Sequence, residues 1–492
     1  MIGVILVFCF ALALSWLITP YVGRLGKRFG ALDLPDARKV HSGAVPRLGG
    51  AAIFLAFHLA LVLALVYGQG DARVEFDTAR IFFAFVGGAI IFAVGLVDDL
   101  RGLDYRVKFL GQILAASVAY AGGIQIHHIG PFGIAVEFGW LSYPVTVFWF
   151  LLFINAVNLS DGLDGLAGGI VFFAAAIMTL FMTVHGDLDM ALTFAALGGA
   201  VLGFLRYNFN PASIFMGDGG SYFLGYALAA AAVICSVKAE IGALLLIPLV
   251  ALGVPIFDTL LSPLRRFVVG RGLFSPDKGH VHHRLLEMGL STQKAVTLVY
   301  GMSFILGLLA IAMVSFRSDL RGPFLLALAV GIFIFIRKLR YFEYFTAEKV
   351  YGWLIDISDV SGFSQERRSF LSIQMDIAKS AGLEDLWHNI RRAVEAIHFD
   401  MAEFTLRKEG SVIANWEWAR EAEGRALISD RIMQIRLPLV EELGVYKGTL
   451  VIAKDLSRSP LHSYSLRRVE TLRRSIKRKL TEMDQADGQA KA

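Results

Sequence analysis

The sequence predicts an all-α polytopic membrane protein of about eleven transmembrane helices, followed by a small soluble α+β domain. Three observations predict it. Hydrophobic residues make up 56% of the 492-residue chain, with a mean hydropathy of +0.59, above the roughly 45–50% of ordinary soluble domains. The apolar residues fall in runs close to the ~20 needed to cross a bilayer. After about residue 345 these runs stop and charged residues take over.

The predicted spans lie near 2–20, 48–67, 80–97, 107–123, 142–157, 165–184, 189–206, 220–236, 240–261, 295–315 and 321–338, the fifth and eighth being short or glycine-rich. The first could pass for a signal peptide, but no small-residue cleavage site follows it, and Tyr21 to Arg28 is a basic flank suited to a retained span. Net charge is only +5, so the position of charge says more than its total. One set of connections carries Arg24, Arg28, Arg47, Arg101, Lys108, Arg206, Arg265 and Arg284, whereas the other holds few bases, Arg73, Arg80, Lys238, Arg317 and Arg321. By the positive-inside rule the first set is cytoplasmic and the N-terminus faces outward. Cys9 and Cys235 both fall in apolar runs, which speaks against a disulfide framework and a zinc site.

Residues 1–340 thus form a membrane domain and 345–492 a second one. In the latter, 364–399 and Ser463 to Met483 read as helices. Met401–Leu406, Ser411–Trp418, Ile432–Leu437 and Thr449–Ile452 alternate as strands do, with some likeness to a GAF-type sensor fold. The basic residues of the last helix are a candidate contact for anionic lipid, although a solvated charged face is the commoner reason for such a run.

Four polar clusters fall in the cytoplasmic connections. Asp98-Asp99 ends the third span, and adjacent carboxylates repel unless a cation or a raised pKa relieves them; this suits metal handling or general-base work. Asn155-Ala-Val-Asn158-Leu-Ser-Asp161-Gly-Leu-Asp164-Gly lies between two spans, with Asn158, Asp161 and Asp164 three residues apart and so on one face if helical. Acids at such a place need water, a metal or a partner. Asn208 to Ser221 contains Phe215-Met-Gly-Asp218-Gly-Gly, where glycines and a helix start suit phosphate oxygens and Phe215 offers a flat face to a nucleobase. The fourth, Arg265-Arg266 and then Lys278-Gly-His280-Val-His282-His283-Arg284, suits a pyrophosphate better than a metal. Arg47-Leu-Gly-Gly50 adds base upstream. Oxygen ligands of this kind favour magnesium, with manganese as an alternative. Phosphoryl transfer at an inner membrane face follows from this chemistry.

In this order the clusters resemble the polyprenyl-phosphate N-acetylhexosamine-1-phosphate transferase family, glycosyltransferase family 4, over residues 1–340. The His280-Val-His282-His283 form is similar to the branch that uses UDP-N-acetylglucosamine and undecaprenyl phosphate. The resemblance implies that a lipid phosphate attacks the β-phosphorus of a UDP-N-acetylhexosamine, releasing UMP and starting a cell-surface polysaccharide such as O-antigen. It implies Asp218 as magnesium ligand with Asp161 or Asn158 nearby, Asp98 to deprotonate or orient the lipid phosphate with Asp99 beside it, and Lys108 to balance phosphate charge. Asp164, Asn208 and Phe215 would hold uridine. His280, His282, His283 and Arg284 would hold the pyrophosphate or sugar, with Arg265 and Arg47 as further substrate contacts. Direct attack is favoured over an aspartyl-phosphate. A multi-pass bacterial inner-membrane location is implied, with site and C-terminal domain cytoplasmic. A homodimer is compatible, and no nucleic-acid partner is expected.

Three other readings fit less. Asp161-Gly-Leu-Asp164-Gly-Leu-Ala-Gly168 matches half of a CDP-alcohol phosphotransferase signature, but Gly168 replaces its arginine and the second aspartate pair is missing. A transporter would not gather its acids at one face. A tethered sensor leaves those acids without a purpose. The simplest relatives lack the C-terminal domain, in which nothing looks catalytic.

Overall fold

The computed structural model describes residues 1–33, 43–68, 76–129, 136–238, 242–268, 280–315, 365–408, 411–420, 432–439, 446–456 and 463–489. Contacts divide the chain into two compact units, Met1–Ser262 with Pro276–Arg340, and Pro263–Ser275 with Tyr341–Ala492.

The first unit is helical: α1 (Ile2–Arg28), α2 (Gly50–Gly68), α3 (Thr78–Arg101), α4 (Tyr105–Ala121), α5 (Ser142–Ser160), α6 (Leu166–His185), α7 (Leu188–Asn208) and α8 (Gly217–Lys238), then α9 (Leu246–Ala251), α10 (Gly253–Val268, of which the part up to Ser262 belongs here), α11 (Val281–Glu287) and α12 (Thr292–Ser315). Among the described residues seven helices are long and apolar enough to cross a membrane, and a shorter apolar helix covers Gly50–Val66. The protein is therefore polytopic. The predicted span 240–261 is not one helix: a 3-10 turn at Gly242–Leu245 and a break at Leu252 divide it. The predicted span 321–338 lies outside the described residues.

Local chemistry sets several boundaries. Asp77 and Asp104 accept the N–H of Arg80 and Arg106 and so cap α3 and α4. Gly102 and Gly186 follow α3 and α6 with φ of +69° and +81°, which glycine adopts without penalty. Among the seven described helices of membrane length, α7 and α8 are the most enclosed, 83% of the apolar stretch of each being buried. Without a hydrophobic drive in lipid, small residues bring helices close. A side chain at Gly199 or Gly203 would strike the α1 backbone at Phe8 or Leu12, so α7 lies directly on α1.

The second unit joins α13 (Gln365–Ala378), α14 (Leu383–Ala396) and α15 (Ser463–Gln489) to a four-stranded antiparallel sheet. Its strands are β1 (Met401–Lys408), β2 (Ser411–Ala419), β3 (Ile432–Leu439) and β4 (Tyr446–Asp455), in the order β2-β1-β4-β3. Register places Leu450 opposite both Phe404 and Leu437, and these residues share a core with Ile390, Phe399 and Ile476. Helices and alternating strands thus lie where the sequence expects them.

Candidate active site

The site is built where helix ends meet, and glycines let them meet. A Cβ on Gly95 of α3 would collide with the Gly219 backbone, and one on Gly50 of α2 with that of Gly220. The strand-like segment before α2 fixes the turn leading into α8. Phe215 donates its N–H to Pro46 O at 2.8 Å, Gly49 to Phe215 O at 2.9 Å, and Gly50 to Met216 O at 2.8 Å. Gly217, with φ +75°, then turns the chain so that Asp218 stands at the first turn of α8.

Asp99 lies beneath that turn. Its Oδ1 accepts the Asp218 N–H and its Oδ2 the Gly219 N–H, each at 2.9 Å, and the residue is 4% exposed. The helix start that the sequence offers to a phosphate is already taken by a carboxylate from α3. Asp99 caps that turn in this structure, with both oxygens engaged. Asp99→Ala should lower stability by about 1–2 kcal/mol, as the loss of a helix cap does, read as a lower thermal midpoint in detergent. An unchanged midpoint would remove the cap assignment.

Asp98 points the other way. Its Oδ1 accepts the Leu103 N–H at 2.6 Å, and its Oδ2 lies 2.5 Å from Lys108 Nζ, one turn into α4. The same Nζ is 3.1 Å from Asp218 Oδ2, which also accepts from the Tyr222 hydroxyl at 3.2 Å. Asn158 Nδ2, near the end of α5, donates to Asp218 Oδ1 and to Ser221 Oγ, both at 3.0 Å. Four helices thus contribute to one ionic network. A lysine held between two carboxylates, partly open to solvent, is suited to meeting a phosphate.

The stretch around Asp161 corrects the expectation of a shared helix face. Helix α5 ends at Ser160, Asp161 follows as its C-cap, and Gly165 begins α6 at φ +79°. The intervening turn separates the two acids. Asp161 comes within electrostatic reach of Asp218 and Asp99; burial first, then the charges of Asp218, Asp99 and Asp164, hold its carboxyl well above the usual carboxylate range. Asp164 turns to the other loop, where its Oδ2 accepts from Asn210 Nδ2 and the Ala212 N–H, both at 2.9 Å. Asn208 is 2% exposed, accepts the Gly165 N–H at 3.2 Å and donates to Ile214 O at 3.0 Å. It braces the loop through both ends of its amide. Asp164 retains Oδ1 without a protein partner among the described residues. Helix α12 clamps both loops, Tyr300 donating to Gly165 O at 2.6 Å and Gln293 to Asn210 O at 3.2 Å.

The histidine segment opens α11. The His280 and His282 rings lie parallel, 5.7 Å apart, and both residues are buried. His282 packs on Gly162, where a Cβ would come 2.6 Å from Nε2. Burial, with the neighbouring His283, pushes His282 down to about 3, which favours the neutral ring near pH 7. His283, Arg284 and Phe215 are half-buried. Arg47 is half-buried too, within electrostatic reach of Asp99, and its Nε has no hydrogen-bond partner among the described residues. The side chain of Arg265 lies outside the described residues. Sequence reading missed Asp258, whose Oδ2 lies 2.9 Å from His280 Nδ1. The signal was present, since an acid inside the apolar run of α10 needs a reason.

No group of three or more His, Cys, Asp or Glu side chains forms a ready metal cage among the described residues. Magnesium does not demand one, because it is usually held by one or two carboxylates, waters and substrate phosphates. Among the described residues, Asp98, Asp99, Asp161 and Asp218 lie within electrostatic or hydrogen-bond reach of one another or of Lys108 and Arg47. Carboxylates so close together, with Asp161 held against ionisation by burial first and by its acidic neighbours second, fit a divalent cation.

Fold and site together define a polytopic membrane protein with a phosphate-suited ionic centre at its helix ends. Residues 81–236 match the profile of glycosyl transferase family 4. The chain is 36% identical over 317 residues, 64% of its length and 86% of the relative's, to the probable undecaprenyl-phosphate N-acetylglucosaminyl 1-phosphate transferase of Bacillus subtilis. It is 38% identical over 323 residues (59% of this chain, 77% of the relative) to the decaprenyl-phosphate N-acetylglucosaminephosphotransferase of Mycolicibacterium smegmatis. A phospho-N-acetylmuramoyl-pentapeptide-transferase of Desulforudis audaxviator is 33% identical over 331 residues, 62% of this chain and 95% of that protein. The chain belongs to glycosyl transferase family 4.

Proposed function

We propose that the protein transfers N-acetylglucosamine-1-phosphate from UDP-N-acetylglucosamine to a polyprenyl phosphate. The P–O bond between the two donor phosphates breaks, UMP leaves, and a lipid-diphosphate-sugar remains to start a surface polysaccharide. The observation that carries this reading is Lys108 held between Asp98 and Asp218. The named activities of the relatives from B. subtilis and M. smegmatis support it.

In this reading Asp98 orients the lipid phosphate and takes its proton where it carries one, while Lys108 swings from carboxylate to phosphate oxygens. The lipid phosphate attacks directly, being a competent nucleophile already. Asp218 with Asp161 would hold magnesium, Asn158 keeping the Asp218 carboxylate in place; when bound, the ion would neutralise phosphate charge and polarise the phosphorus. Arg47, Arg284 and His280 are the candidates to hold the pyrophosphate or sugar, and Phe215 and Asp164 Oδ1 the uridine. The basic connections favour a site and C-terminal domain on the cytoplasmic side of a bacterial inner membrane.

Membranes containing the protein, given labelled UDP-N-acetylglucosamine, polyprenyl phosphate and magnesium, should release UMP. Chelation with EDTA should stop release, and added magnesium or manganese should restore it. No UMP from any UDP-N-acetylhexosamine would sink the transferase reading, and full activity in EDTA would sink the metal.

A further inference from the structure

Asp258 stands outside the motifs used above, yet it holds the histidine segment. It is 5% exposed on α10, and a carboxylate so enclosed is costly without partners. Its Oδ2 accepts from His280 Nδ1 at 2.9 Å and from the Val281 N–H at 3.3 Å. His280 is the N-cap of α11 but makes no side-chain bond to that helix, so the carboxylate of α10 takes the capping role. One oxygen therefore fixes both the start of α11 and the plane of the imidazole. With Nδ1–H directed at a carboxylate, Nε2 is the nitrogen left for other work. The neighbouring His282 ring lies parallel to it and rests on Gly162, next to Asp161. The orientation set by Asp258 thus carries to the turn that bears a pocket acid.

We propose that Asp258 is a positioning residue that acts through His280 to set the hold of the histidine segment on the sugar-phosphate donor. This rests on the transferase reading above. Donor and lipid titrations of D258A, D258N, H280A and D258A/H280A test it. D258A should raise KM for UDP-N-acetylglucosamine about tenfold to a hundredfold, as loss of a histidine's outer carboxylate partner does in metal sites, with KM for the lipid phosphate unchanged. D258N, which keeps shape and an acceptor, should recover part of that loss. In the H280A background D258A should add nothing, since one residue works through the other. If D258A does not fold, D258N and D258N/H280A make the same comparison. Additive losses, equal rises in both KM values, or an unchanged donor KM would overturn the inference while leaving the transferase reading standing. Absence of UMP release from the unsubstituted protein would overturn both.

Discussion

An Asp218→Ala protein should turn over roughly 10²–10³-fold more slowly, or below detection, the scale of losing one charge-stabilising group at a reacting centre. The structure gives the reason. Asp218 is where Lys108, Asn158 and Tyr222 converge, and its charge reaches Asp161. Its removal leaves Lys108 bound to Asp98 alone and takes away the first candidate oxygen for a cation. The backbone of the turn should survive, because Asp99 holds the Asp218 N–H rather than its side chain. The thermal midpoint in detergent should accordingly change much less than UMP release. Near-normal turnover would remove Asp218 from the centre of the chemistry.

Gly95→Ala should be far more damaging than its single methyl suggests. The added Cβ would meet backbone atoms of Gly219 and Asp218, which cannot move aside as a flexible side chain would. Overpacking of this kind costs about 1–3 kcal/mol or more, and here it would also push α3 away from the α8 start that Asp99 caps. Folded yield and UMP release should fall together. Gly198→Ala is the matched control, since its Cβ would meet Ala175 Cβ at an ordinary 3.6 Å. Equal behaviour of the two variants would show that close helix approach at Gly95 is not required.

Much of the fold is legible in the chain because lipid imposes a simple rule: backbone must be satisfied internally, so apolar runs become helices. The runs at 2–20, 80–97 and 295–315 reappear as α1, α3 and α12. The run at 240–261 does not, for apolarity reports burial but not continuity, and Gly242, Pro248 and Gly253 fall at or near the breaks. In the C-terminal unit, period-two alternation locates all four described strands; their order depends on long-range pairing that no local pattern encodes.

The residue types of the site were equally plain, and their division of labour was not. Asp98 and Asp99 are adjacent and chemically identical, and only the packing of Gly95 on Gly219 decides that one caps a helix while the other meets Lys108. Asp161 and Asp164 look equivalent until a turn sends one toward Asp218 and the other to Asn210. Sequence by itself determined a helical membrane protein with acids and bases gathered in particular connections, because hydropathy and motif spacing are local properties. Tertiary structure decided which oxygens are already bonded and which remain for a ligand, because hydrogen bonds between Asp99 and α8, or Asp258 and His280, join residues that the chain keeps far apart.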